Sequence, residues 1–162
     1  MSDDFQLSRR KSQITGRLDE LEEKEDFEAE WSEETIHNLV DLAKKGKMLR
    51  GSLLLEACEA LDGPEPVNYA TAIELIHTGL LVHDDIIDED DERRGVETIH
   101  SRYGERGERF GEGVAICSGD ITFFLALDLI ADSGEQSDRA LQAISECFIR
   151  TGLGEIMDVE TP

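Results

Sequence analysis

The stretch that decides the fold runs from Ala72 to Asp91 and reads AIELIHTGLLVHDDIIDEDD. It is apolar for several turns and then ends in a burst of acids. On a helix Asp84 and Asp88 are separated by about 40° around the axis, so they share a face and can hold one hard cation between them, while Asp85 points roughly 100° away. His77 precedes Asp84 by two turns less about 20° and lies on the same face, about 10 Å along the axis. An acid-rich chain yields such a DDxxD cluster by chance, as plain surface. Here Ile86 and Ile87 sit inside the cluster and an apolar run precedes it, which puts the carboxylates on a mostly buried helix. A lone histidine on an apolar helix is ordinarily a satisfied core residue, and only its company gives His77 another reading.

Basic residues stand on both sides of this helix. Arg93-Arg94-Gly95 follows it, and Lys47 and Arg50 lie three apart in GKMLRG at 46–51, on one side of another helix start. Guanidinium and ammonium groups are natural partners of phosphate, arginine by a bidentate fork and lysine as a point charge. Either pair would equally neutralise nearby acids. With the paired carboxylates and His77 they point to two separated diphosphate sites, one bridged by Mg²⁺ and the other bound by basic side chains alone.

Further out, the apolar spacing predicts helices over about 5–27 (Leu7, Ile14, Leu18, Leu21, Phe27), 33–45, 47–61, 67–90, 108–132 and 137–160. Ser32 reads as the N-cap of the second, with Glu33 and Glu34 in its first turn, and the acids from Asp19 to Glu34 as a solvated face. Residues 92–107 read as loop plus a short helix. Gly-Pro-Glu-Pro at 63–66 is the one sharp break, and no two-residue alternation is long enough for a sheet.

Length and charge bound the function. The 162 residues predict a single domain, 1–162. Sixteen basic against 38 acidic side chains leave a formal charge of −22, which excludes non-specific attraction to nucleic acid or an anionic membrane. Such self-repulsion is tolerable where molar salt cuts the Debye length to about 3 Å, so the surface reads as halophilic. The odd set Cys58, Cys117 and Cys147, each among apolar neighbours, predicts buried thiols in a reducing compartment. MSDDF lacks the apolar core of a secretory signal, and no run approaches the roughly 20 apolar residues of a membrane span, so a soluble cytoplasmic protein is expected.

The ordered motifs GKMLRG (46–51), ELIHTGLLVHDDIIDEDDERRG (74–95), ETIHSRYG (97–104), CSGD (117–120) and GLGEIMD (152–158) resemble the trans-type isoprenyl diphosphate synthases, or polyprenyl synthetases, over about 40–160. The resemblance implies an all-α helical bundle of the isoprenoid synthase type and a Mg²⁺-dependent prenyltransferase of isoprenoid biosynthesis, similar to geranylgeranyl diphosphate synthases. Lys47, Arg50, His77 and Arg94 then look like the pocket for the diphosphate of isopentenyl diphosphate. Asp84, Asp85 and Asp88 look like the catalytic carboxylates, with Asp84 and Asp88 as metal ligands and Arg93 as direct partner of the allylic diphosphate. The implied reaction is a head-to-tail 1'-4 condensation in a dry, helix-walled cavity. Gly79 and Leu80, one turn before Asp84, would face the growing tail; with no large aromatic there the floor is deep, and a product of twenty carbons or more is expected.

The departures carry their own expectations. Gly51 stands where the family has proline, and Glu155 where glutamine is usual. No second aspartate pair follows Asp91, so the expected bundle is incomplete: a piece of a synthase, a shortened paralogue, or a chain whose partner supplies the rest. The alternative function is accordingly a non-catalytic diphosphate-binding or regulatory subunit. A homodimer, or a heteromer with a longer synthase, would cover the apolar faces of 108–132 and 137–160.

Overall fold

Two long apolar helices lie side by side at the centre of the protein and the other elements are laid around them. The computed structural model describes residues 3–24, 30–134 and 136–160. Its helices are α1 (Asp3–Lys24), α2 (Glu30–Lys44), α3 (Leu49–Ala60), α4 (Val67–Ile87), α5 (Ile99–Gly104), α6 (Glu108–Ala131) and α7 (Ser137–Val159). The central pair is α4 and α6; α5 packs on α6, and α1 lies across α3 and α4. This is the expected all-α bundle, with helix limits a few residues from those predicted.

Each helix forms because its apolar residues recur at helical spacing and find a partner. Ile14, Leu18 and Leu21 of α1 are buried against Ile36 and Val40 of α2, Leu55 of α3, Leu75 of α4, and Leu125, Leu129 and Ile130 of α6. Each such side chain contributes roughly 1.5–3 kcal/mol on burial. A second cluster, Leu39, Leu42, Val82, Ile99, Tyr103 and Ala115, underlies the acidic end of α4. One cation of α1 is fully buried: Arg10 reaches Glu56 at 2.6 Å and Glu65 at 3.0 Å, and also pairs with Glu59.

Several expectations are corrected. Phe27 lies outside the described residues, and Leu7 is exposed rather than part of the core. The second helix already runs at Glu30, so Ser32 stands inside it and not at its cap. Between α4 and α5 the chain forms a small hairpin, with β1 (Glu92–Arg93) antiparallel to β2 (Val96–Glu97). Arg94 and Gly95 turn it at φ 56° and 77°, the positive values a two-residue primed turn requires. Two residues per strand are too few to register as alternation. Nor are the thiols buried: Cys117 and Cys147 are exposed and Cys58 is intermediate, because each falls on the outer side of its helix.

Helix α6 departs from the expectation that no run is long and apolar enough for a membrane span. Glu108–Ala131 is long and apolar enough by composition to cross a membrane. One side of it, including Ala115, Thr122, Ala126 and Leu129, is closed by neighbouring helices, as in a core helix. The other side exposes Ile116, Phe124 and Leu127, and α7 exposes Ile149, Leu153, Ile156, Met157 and Val159.

Candidate functional site

The middle of α4, the loop between α2 and α3, and the hairpin turn enclose one basic pocket of about 290 Å³. Its lining is Lys45, Gly46, Lys47, Met48, Leu49, Arg50, Glu74, His77 and Arg94. Lys47, Arg50, His77 and Arg94, predicted from three separate places in the chain, are thus brought together. The loop is held from outside by Lys11, whose Nζ donates to the Gly46 carbonyl at 2.8 Å. Gly46 lets the Arg94 guanidinium lie close to the loop backbone: a Cβ there would lie 2.8 Å from Arg94 Nη1 and 3.0 Å from the Ala43 carbonyl.

The charges in this pocket are left open. Lys45 pairs with Asp41 at 2.7 Å, but Lys47, Arg50 and Arg94 form no ion pair with any described residue. In a chain with 38 acids to 16 bases such gathering of unpaired cations is contrary to what surface statistics would produce. Their effect shows on His77, whose imidazole is pushed down to about 4 by burial and by the charges of Arg50, Arg94 and Arg93. It is neutral at physiological pH and can donate a single N–H. Cations grouped around a neutral donor suit a multiply charged anion.

At the acidic end of α4 the charges are closed on one another. Asp88 is the C-cap, its N–H bonded to the Asp84 carbonyl at 2.8 Å, so the two residues stand one turn apart. Asp85 is 1% exposed, and Arg93 bonds it through Nε while its Nη2 reaches Asp84 at 3.2 Å and Asp90 at 3.6 Å. Burial pushes the Asp85 carboxyl up, and Arg93 opposes this. Among the described residues no group of three His, Cys, Asp or Glu side chains is placed to hold a metal ion. Two hard carboxylates one turn apart nevertheless fit Mg²⁺, which takes one or two protein carboxylates and completes its shell with water and phosphate oxygens. The adjacent arginines therefore face different sites, Arg93 the carboxylates and Arg94 the basic pocket, because the hairpin turn falls between them.

Gly79 packs against α6, where a Cβ would meet Thr122 Oγ1 and lie 2.9 Å from the Gly119 carbonyl, and Leu80 beside it is half-buried. An apolar cavity of about 390 Å³ lies between α4, α6 and α7, lined by Ile76, Asp120, Phe123, Phe124, Leu127, Ile144, Ser145 and Phe148. Phe123 stacks edge-on with Phe148 at 5.1 Å and with His83 at 5.5 Å, and His83 lies 3.6 Å from Asp120. Glu74 was missed, although its place three residues before His77 on one helical face was the available signal.

Residues 29–162 match the profile of the family described as Polyprenyl synthetase. A short chain isoprenyl diphosphate synthase of Methanothermobacter thermautotrophicus is 36% identical over 118 residues, covering 70% of this chain and 34% of that protein. Among solved structures, the geranylgeranyl pyrophosphate synthetase of the archaeon Geoglobus acetivorans superimposes with a TM-score of 0.77 at 29% identity, over 95% of this chain and 48% of that one. An isoprenoid synthase family member from Thermotoga neapolitana gives 0.78 at 36% identity, over 94% and 56%. The chain spans about a third of the length of the curated relative.

Proposed function

The chain belongs to the polyprenyl synthetase family, and from that premise we propose that it carries the isopentenyl diphosphate pocket and the first metal-binding face of a prenyltransferase acting in isoprenoid biosynthesis. The observation that carries this reading is the set of cations left without acidic partners around a neutral His77. Lys47, Arg50 and Arg94 grip the diphosphate of isopentenyl diphosphate, and His77 adds one N–H. Asp84 and Asp88 would hold Mg²⁺, which when bound draws charge off the departing allylic diphosphate. Asp85 fixes Arg93 beside them, so that its guanidinium meets that same diphosphate without first having to be ordered. As the allylic carbon–oxygen bond breaks, the double bond of isopentenyl diphosphate attacks the allylic carbon and a proton is lost. The cavity between α4, α6 and α7 keeps water from the cationic centre and takes the prenyl tail.

A second reading, a diphosphate-binding subunit that works beside a longer synthase, is favoured by the exposed apolar faces of α6 and α7. In either case we place the protein in a salt-rich cytoplasm, as one domain that pairs with another copy or with a relative. Titration calorimetry in molar salt tests the two sites. Lys47→Ala and His77→Ala are expected to weaken isopentenyl diphosphate and leave Mg²⁺-dependent binding of an allylic analogue largely intact, and Asp84→Asn to do the reverse. Equal loss of both ligands in all three variants would overturn the assignment.

A further inference from the structure

Helix α3 begins without a cap of its own. Met48 occupies the N-cap position at φ 52°, a left-handed value that a methionine adopts only when its surroundings hold it, and it has no side-chain oxygen to offer. The first amides of α3 are therefore orphans unless something else reaches them. One is met from another helix: the Gly51 N–H donates to Glu74 Oε1 of α4 at 2.8 Å, in a buried bond.

We propose that Glu74 is the cap of α3 and the positioning residue of the basic pocket, fixing the first turn of α3 on α4 so that Lys47 and Arg50 stand opposite His77 and Arg94. This rests on the anion-binding reading given above. Glu74 is 4% exposed and lines the pocket itself. A carboxylate there repels any anion the pocket takes, a cost that makes sense only if its oxygen does something else. It also occupies the positive end of the α3 dipole, which a ligand phosphate would otherwise take, leaving the ligand to the side chains. Gly51 makes the bond possible. A Cβ at 51 would lie 2.7 Å from the Ala70 carbonyl and 3.2 Å from Glu74 Cγ, so a larger residue drives α3 off α4.

The proposal makes charge and cap act in opposite directions. Glu74→Gln keeps an acceptor for Gly51 and removes the charge, and should bind inorganic pyrophosphate about threefold more tightly. Glu74→Ala removes the charge as well, yet should bind it about tenfold more weakly, because the cap is gone. Calorimetry with pyrophosphate in molar salt, well below each variant's melting temperature, reads the difference; a role in stability alone would shift melting and leave both affinities close to each other. Should the alanine variant not fold, Glu74→Asp, one methylene short of Gly51, replaces it; it keeps the charge, so its expected loss is larger, about thirtyfold. Affinities of the two variants within threefold of each other overturn the proposal and leave the site standing. Wild-type protein that binds no pyrophosphate overturns the proposed function and this inference with it.

Discussion

The two ends of the α4 face handle charge in opposite ways. At the acidic end Arg93 is spent on Asp84, Asp85 and Asp90, and the carboxylates are partly neutralised before any ligand arrives. One hairpin turn away, Lys47, Arg50 and Arg94 stand unpaired in a molecule of net charge −22. Elsewhere a cation can be fully paired, as Arg10 is with its three glutamates. The acidic end is different in kind: Asp85 is buried against Arg93, while Asp84 and Asp88 reach solvent.

Separating α4 from α6 should have the largest effect, since both ends ride on α4. Gly79→Phe forces a ring against Thr122, Phe123 and the Gly119 carbonyl. Over-packing of this kind costs about 1–3 kcal/mol and more against backbone. We expect a loss above about 3 kcal/mol by denaturant melting, with both ligands lost together and not a shortened product. A variant that melts as wild type would mean α6 yields at this point.

Next in size is the basic pocket alone. Arg50→Ala combined with Arg94→Ala should cost about 100-fold in pyrophosphate affinity, since charge-assisted hydrogen bonds contribute about 1.5–3 kcal/mol each and one remaining lysine compensates in part. Melting should barely change, as neither arginine holds a described residue by an ion pair. Arg93→Gln inverts that pattern. It leaves Asp85 buried without its partner, and should cost about 1–3 kcal/mol of stability at pH 7. With its folded pKa raised, Asp85 takes a proton more readily in the folded chain than unfolded, so the loss shrinks as pH falls toward 4. A stability loss that instead grows with acidification would mean Arg93 is held chiefly by Asp84.

How much of this could be read from the residues follows from what each feature depends on. Helices α1 to α7 were legible because apolar period and Gly-Pro punctuation are local properties. The gathering of Lys47, Arg50, His77 and Arg94 was legible because motif order carried it. Three features were not. The burial of Asp85 and its hold on Arg93 depend on which way a two-residue hairpin turns. The closure of Gly79 depends on α6 approaching at Gly119 and Thr122, a contact some 40 residues away in sequence. The Glu74–Gly51 bond was hidden because an acid in an acidic chain gives no signal until its partner amide is seen.

The finest distinction between the two ends lies in protonation. His77 titrates near 4 in the folded protein against an ordinary value of 6.5, owing to burial first and to Arg50, Arg94 and Arg93 after it. The sign follows from linkage: between these values the unfolded chain takes a proton that the folded one refuses, so stability is complete above about pH 6.5 and declines as pH falls toward 4. The contribution is on the order of 2 kcal/mol once the partial exposure of the ring is allowed for. His77→Gln should therefore match wild type at pH 7.5 and exceed it at pH 4.5 in melting experiments. A bound diphosphate reverses the field that depresses the imidazole, so pyrophosphate binding near pH 5 should take up protons, visible as a buffer-dependent binding enthalpy that the glutamine variant lacks. If uptake persists in that variant, the proton goes to a carboxylate and the acidic end, not the basic one, is what the anion touches.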